Sequence, residues 1–578
     1  MKKKSLLTLM SFLLVLSMFL VACSGGKDTS KDDSNKGSDP GKTEEPKDEG
    51  PVEGGTLVFA TNSEFDGLLD PIFSESTGDS DILGFTHESL ITYDENLKPQ
   101  PHLAEWKTDD NKVFYFTFKK GVKWHDGKEL TVDDWIFAIE TIAKIGPEHA
   151  RWSNVNTIEG AVEFNEGKAD SISGLKKVND YEIEVTFKEA AVNNLDNLWV
   201  TPMSRAHFEG VDPKDMASSE KVRNGSIGTG PYKFSKVLPG ESVELVRNEE
   251  YWDGKPYIEK IIIKVIDTSV LGIETKGGKV DLLQIPAANL EEFQAYDNID
   301  IKITDGLSYY YVGFKLGTFK DGKVVMDKDK YASKELRQAM LYAIDREKWI
   351  NSFFSGLAQP LDTVIPKTHW IAATSNELPN KYTYDPDKAK ELLDKAGYVD
   401  KDNDGWREDP NGNKFVIKFA HYQTTNPTFP LRAQAIADAW KEIGLNTEVS
   451  MIDSQLYYDM VQKDDPAIEV FFGGWSTGTD PDPWGLWGDD VVFNYPRWYT
   501  EESGKLMKDA VNIDVVGTDA NKRKELYVKW QSIINEELPM LPIMETQTAW
   551  GVNKRVQDVK LDVLGYRDPH KWWIKPEK

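Results

Sequence analysis

The chain has 578 residues, with 96 Asp and Glu against 69 Lys and Arg, and carries a net charge of −27 at pH 7. That excess of negative charge argues against nucleic acid and against an anionic lipid surface as partners. The length suits two or three domains with proper cores, and the single cysteine, Cys23, excludes an internal disulfide.

The elements follow in chain order. Lys2, Lys3 and Lys4 precede an uncharged, largely apolar run from Ser5 to Ala22. A basic start, an apolar stretch and small residues at its end describe a secretory signal peptide over 1–22. Leu20-Val21-Ala22-Cys23 resembles the lipobox of bacterial lipoproteins, which implies that Cys23 becomes a lipidated N-terminus. Residues 24–51 contain no apolar side chain, so 23–51 reads as a lipid-bearing cysteine and a disordered tether. A coil of that length reaches about 30 Å.

Beyond the tether, strands and helices intermix. Val52–Asn62, Lys112–Phe118, Tyr181–Phe187, Ser242–Arg247 and Ile258–Ile266 read as strands. Val132–Ile145 reads as a helix with Thr131 as N-cap and Asp133 and Asp134 in its first turn. Helical spacing recurs over Lys334–Phe354, Pro386–Ala396 and Pro430–Ile443. The class is α/β or α+β in several lobes.

Little here could build an enzyme. The histidines form no metal spacing, and neither a nucleophile elbow nor a P-loop is present. His125-Asp126 is followed by Gly127 and reads as a turn. A carboxylate pair for glycoside hydrolysis would be invisible among so many acids. Asp400, Asp402 and Asp404 alternate, with Gly405 in sixth place, as at the start of an EF-hand loop. The twelfth position is Asn411 where such a loop carries Glu, so the candidate structural Ca²⁺ site competes with a plain Asp/Asn/Gly turn. No other cofactor is required.

Five ordered blocks carry a family resemblance. The segment 101–142 (PHLAEWKTDDNKVFYFTFKKGVKWHDGKELTVDDWIFAIETI) and the segment 228–256 (GTGPYKFSKVLPGESVELVRNEEYWDGKP) resemble the hallmarks of family 5 extracellular solute-binding proteins. LRQAMLYAIDREKWI (336–350), YDPDKAKELLDKAGY (384–398) and GGWSTGTDPDPWGLW (473–487) match later blocks in the same order. The resemblance spans about 52–578. It implies a two-lobe, periplasmic-binding-protein-like α/β fold with a hinge. The first lobe is expected over 52–90, 228–308 and 545–578, an inserted subdomain over 91–227, and the second lobe over 309–544.

The resemblance further implies a monomeric, non-enzymatic subunit of an ABC importer. It would be held on the outer face of a bacterial cytoplasmic membrane, of Gram-positive type, through Cys23. It would deliver ligand to a permease powered by ATPase subunits. Oligopeptide is the expected ligand, gripped by its main chain like an added strand. The matching positions are Ser63, Glu64 and Phe65 in one lobe and Gly474, Trp475 and Ser476 in the other. Tyr310 is a further candidate near the hinge. The family's ammonium-binding Asp falls at Gly478 here, which shifts that role to Asp480. The alternative ligand is an oligosaccharide stacked on Trp475, Trp484 and Trp487; a surface-anchored hydrolase is the alternative class. A nickel site, held in some relatives by few dedicated residues, stays open.

Overall fold

A computed structural model describes residues 50–61, 65–424 and 428–576. Cys23, the expected signal and tether segments before residue 50, and the candidate contacts Ser63 and Glu64 lie outside the described residues.

The first strand, β1, spans Thr56–Thr61. It starts later than Val52 because Gly54 and Gly55 take φ of +112° and +85°, outside the strand region. Further strands are β2 (Tyr232–Leu238), β3 (Ser242–Arg247), β4 (Lys260–Val265), β5 (Leu282–Ile285) and β6 (Ile299–Phe314). Then come β7 (Ala358–Pro360), β8 (Val416–Gln423), β9 (Asn446–Asp453), β10 (Val470–Ser476) and β11 (Met540–Asn553). Among the described residues these form one mixed sheet of eleven strands, ordered β9-β8-β10-β6-β11-β5-β1-β4-β3-β2, with β7 beside β11.

Two long strands join the lobes. Residues Ile299–Asp305 of β6 pair with Gln547–Asn553 of β11, and Tyr309–Gly313 pair with Met540–Glu545. The register breaks between Asp305 and Tyr309 and again between Tyr310 and Tyr311. Such irregularities weaken a ladder and bend it, so the chain bends where β6 and β11 pass from one lobe to the other. Cores lie on both sides of this crossing. The second lobe has one core, running from Tyr309 to Met544. The first lobe has two, one on each face of its sheet, centred on Phe59, Phe85 and Trp572 and on Leu283, Phe293 and Ala549.

The insert has its own core, which runs from Ile72 to Val222 and so takes in Ile72 and Phe73 ahead of the expected boundary at 91. A four-stranded antiparallel sheet includes Val113–Phe118, whose side chains alternate between buried and exposed as the sequence predicts. It packs on the helix Val132–Ile145 through Trp135, 5.0 Å from Phe116 ring to ring. The Thr131 N–H donates to Asp134 at 3.0 Å, closing the start of that helix.

The helical stretch expected over Lys334–Phe354 is two helices, Lys334–Tyr342 and Arg346–Phe354. Asp345 breaks the run by accepting the Lys348 N–H at 2.9 Å as an N-cap. The other two expected helices run over Pro386–Lys395 and Thr428–Glu442.

Candidate functional site

The hallmark blocks converge on one buried carboxylate. Glu88 Oε1 accepts from Tyr251 Oη at 2.7 Å and lies 2.9 Å from His102 Nε2. Its Oε2 accepts from Trp252 Nε1 at 3.0 Å and Thr229 Oγ1 at 2.9 Å. Burial opposes the charge, but His102, Tyr251 and Trp252 hold the carboxyl below its usual range. His125 ties the same seam, with Nε2 3.0 Å from the Gly230 carbonyl and Nδ1 accepting from the Gly228 N–H at 3.2 Å. Gly228 and Gly230 lie against the Thr86 carbonyl, where any Cβ would clash. The Gly-Thr-Gly that opens the 228–256 block is thus a packing requirement at the junction of insert and first lobe.

The second-lobe wall of the cleft is β10. Its glycines answer to the tyrosines of β6. Tyr311 pairs with Gly473, Tyr310 with Gly474 and Tyr309 with Trp475. A Cβ on Gly473 would stand 2.7 Å from the Tyr311 ring, and one on Gly474 2.9 Å from Tyr310. On its other side β10 pairs with β8 only at Val470 and Phe471. Past that point, among the described residues, no strand pairs with that edge, and Ser476 is exposed. Thr477 then turns the chain back, its N–H donating to the Leu307 carbonyl at 2.9 Å. His369 Nε2 lies 2.7 Å from Thr477 Oγ1, and burial lowers this imidazole to about 4.

Asp480 is not a free counter-ion. Arg523 donates to both its oxygens, at 2.7 and 3.0 Å, and both side chains are buried. The expectation that Asp480 waits for an ammonium is corrected, because its charge is already met by a bidentate guanidinium. Beyond it, Asp482 accepts from Tyr527 Oη at 3.3 Å and from Asn193 Nδ2 of the insert at 3.3 Å. Val192 N–H donates to the Val511 carbonyl at 3.1 Å, and Ala191 bridges Asn512. The insert therefore touches the second lobe here. Burial, then the nearby Asp480, raise Asp196 to about 7 and Asp482 to about 6.

Two cavities flank the crossing strands. The larger, about 760 Å³, lies against the first lobe and insert and is lined by Asp81, Glu88, Tyr93, Thr304, Trp550 and Arg567, among others. The smaller, about 240 Å³, is lined by Gln284, Tyr310, Phe354 and Thr546. Tyr310 stacks on Phe472 at 5.7 Å and lines the smaller cavity together with Gln284 of the first lobe. Phe65 is 6% exposed in the first-lobe core, so its side chain packs instead of facing ligand. Trp475 leans on Tyr495 at 5.1 Å and is half-buried. Trp487 is wholly buried against Trp498 and Trp530, which removes it from the set expected to stack on sugar rings.

The acidic loop closes on itself. Asp400, Asp402 and Asp404 offer oxygens within 4.8 Å of one another and of Glu408. Glu408 stands ninth in the loop, a position the sequence reading passed over in its search of the twelfth. Gly405, at φ +93°, supplies the sharp turn. The donor set is all hard oxygen, which suits Ca²⁺.

This is a two-lobed ligand-capturing architecture, and comparison with known proteins agrees. The model of bacterial extracellular solute-binding proteins, family 5 middle region, matches residues 98–497, and the chain belongs to that family. The chain is 27% identical to the oligopeptide-binding protein AppA of Bacillus subtilis over 589 residues, covering 99% of each. It is 24% identical to the haem-binding protein A of Haemophilus influenzae, covering 98% of each. Among solved structures, AppA from Bacillus subtilis in complex with a nonapeptide superposes with a TM-score of 0.69 at 24% identity, covering 91% of this chain and 100% of that one. Lactococcal OppA, closed on an endogenous peptide, gives 0.74 at 24% identity, covering 90% and 99%.

Proposed function

We propose that this chain is the oligopeptide-capturing subunit of an ABC importer. It takes an extended peptide into the cleft, closes, and presents it to a membrane permease whose ATPase subunits power import. The observation that carries the reading is the edge of β10 at Gly474–Ser476, which no strand among the described residues pairs, beside the bend of β6 and β11. An edge of free backbone groups adds a peptide strand without reading its side chains. Likeness to oligopeptide-binding AppA along almost the whole chain supports the same ligand class. In this reading Cys23 carries lipid and holds a monomer on the outer face of the cytoplasmic membrane, and the chain itself catalyses nothing.

Native mass spectrometry on the full-length protein purified from its own cells, followed by denaturing release, tests it. Co-purified masses are expected to form a ladder of peptides. A series spaced by hexose, or haem, overturns the peptide assignment. The anchor is tested separately: mass spectrometry of the N-terminal peptide of the membrane-bound protein is expected to show a chain that begins at a lipid-bearing Cys23, and an N-terminal peptide without lipid rejects the attachment.

We further infer that the loop holding Asp400, Asp402, Asp404 and Glu408 takes a structural Ca²⁺. At ten times its Kd, calcium would add about 1.4 kcal/mol of stability. A melting temperature indifferent to millimolar Ca²⁺ and to chelator rejects it.

A further inference from the structure

The larger crevice has an imbalance of charge and hydrogen-bonding groups. Each permanent cation that lines it is already engaged. Arg567 Nε donates to Asp562 at 2.7 Å and its Nη2 to the Tyr93 carbonyl at 3.1 Å. Lys560 Nζ lies 3.4 Å from Asp568. The carboxylates outnumber those cations, for Asp81, Glu88 and Asp253 line the same space. The imidazoles leave Asp81 aside: His102 lies 2.9 Å from Glu88 and His570 3.2 Å from Asp253, while burial lowers both His87 and His570.

Asp81 is the carboxylate left over. It sits in the short helix Thr77–Leu83, and its own main-chain carbonyl accepts from Tyr566 Oη. Its carboxyl has no cation and no hydrogen-bond donor among the described residues. Burial alone raises it to about 7. A second unmatched group lines the same crevice. Trp550 is 2% exposed, and its Nε1–H has no acceptor among the described residues. Buried donors without acceptors are costly and uncommon. One wall thus holds a free acceptor that calls for a cation and a free donor that calls for a carbonyl.

We infer that this crevice seats a cationic group of the captured peptide, an ammonium or guanidinium, on Asp81, while Trp550 Nε1–H donates to a peptide carbonyl beside it. The inference rests on the peptide reading and narrows it to peptides with a positive charge at that end. The charge has two sources, the α-amino group or a Lys or Arg side chain. The recognising chemistry is the same for both.

Titration calorimetry on the full-length protein and its Asp81→Asn variant tests it at pH 7.5. The probes are a lysine-bearing peptide, the same peptide with norleucine for lysine, and the N-acetylated form of each. The wild type is expected to prefer a cationic form over its neutral counterpart by about tenfold or more. Loss of the preference on removing lysine identifies the side chain as the source; loss on acetylation identifies the α-amino group. In Asp81→Asn the preference disappears while neutral peptides bind as before, and the unliganded melting temperature at pH 7.5 holds or rises, because a destabilising buried charge is gone. Trp550→Phe weakens all four probes alike. Peptide binding with no charge preference in the wild type, or a preference that survives Asp81→Asn, overturns the inference and leaves the peptide reading standing. Failure of all four to bind overturns both.

Discussion

The insert meets its neighbours at two polar seams of opposite construction. Against the first lobe, one carboxylate, Glu88, faces four groups, His102, Thr229, Tyr251 and Trp252, and among the described residues no other carboxylate hydrogen-bonds to these side-chain groups. Against the second lobe, three carboxylates, Asp196, Asp480 and Asp482, crowd around one guanidinium, Arg523. A fully satisfied buried network is rigid; a partly satisfied one is strained. The first seam is built to stay shut. The second holds more like charge than it neutralises, which in the proposed capture cycle suits a contact that parts to admit ligand.

The largest effect is expected at the permanent seam. Glu88→Ala leaves Tyr251, Trp252 and Thr229 as buried donors without an acceptor, and stability falls by about 3–5 kcal/mol. Urea denaturation followed by tryptophan fluorescence reads this directly. A loss below about 1 kcal/mol would mean that water replaces the carboxylate and that the hub is no hub.

A smaller effect, of a different kind, is expected at the second seam. Arg523→Ala removes the guanidinium that meets Asp480, the only permanent cation paired with it among the described residues. Parting of the lobes lets water reach the exposed acids, so the fold survives while closure suffers. Peptide affinity is expected to drop about tenfold to hundredfold, or ~1.4–2.7 kcal/mol. Small-angle scattering with peptide present would show the radius of gyration staying at its unliganded value. Normal compaction in this variant would separate Arg523 from closure.

What the sequence could reveal of these seams was uneven, for physical reasons. Turn glycines, alternating strands and helix caps are local, so Val113–Phe118 and the Thr131–Asp134 start were legible. The ordered blocks carried the fold class. The break at Asp345 was local too, but a helical hydrophobic stripe on either side of it masked the cap. The partners of Glu88 lie up to 164 positions away, and Arg523 lies 43 beyond Asp480, distances at which spacing carries no signal. Asp480 therefore looked free, and Asp81 drew no notice because a carboxylate without a partner has no pattern. Trp487 looked like a ligand platform because burial cannot be read from a Trp-rich loop. Glu408 was missed for a simpler reason: an acid was sought only at the twelfth place.

The smallest effect follows from acidity. Burial and then the charge of Asp480 raise Asp196 to about 7, above the ordinary value of 3.8. In the parted state water reaches Asp196 and its affinity for a proton falls. The closed contact thus binds more protons than the open one between those two values. By linkage, closure is favoured on the acid side of about 7 and weakens as pH rises through it. Asp482, raised to about 6 chiefly by burial, adds the same sign at slightly lower pH. Peptide affinity, measured with a neutral, N-acetylated peptide so that Asp81 plays no part, is expected to fall a few-fold from pH 6 to pH 8. Asp196→Asn should flatten most of that slope and tighten binding at both pH values, because the variant no longer has to take up a proton in order to close. A slope that persists in Asp196→Asn would assign the titration to another group, and a slope of opposite sign would mean that the carboxylates at this seam are tighter, not looser, when charged.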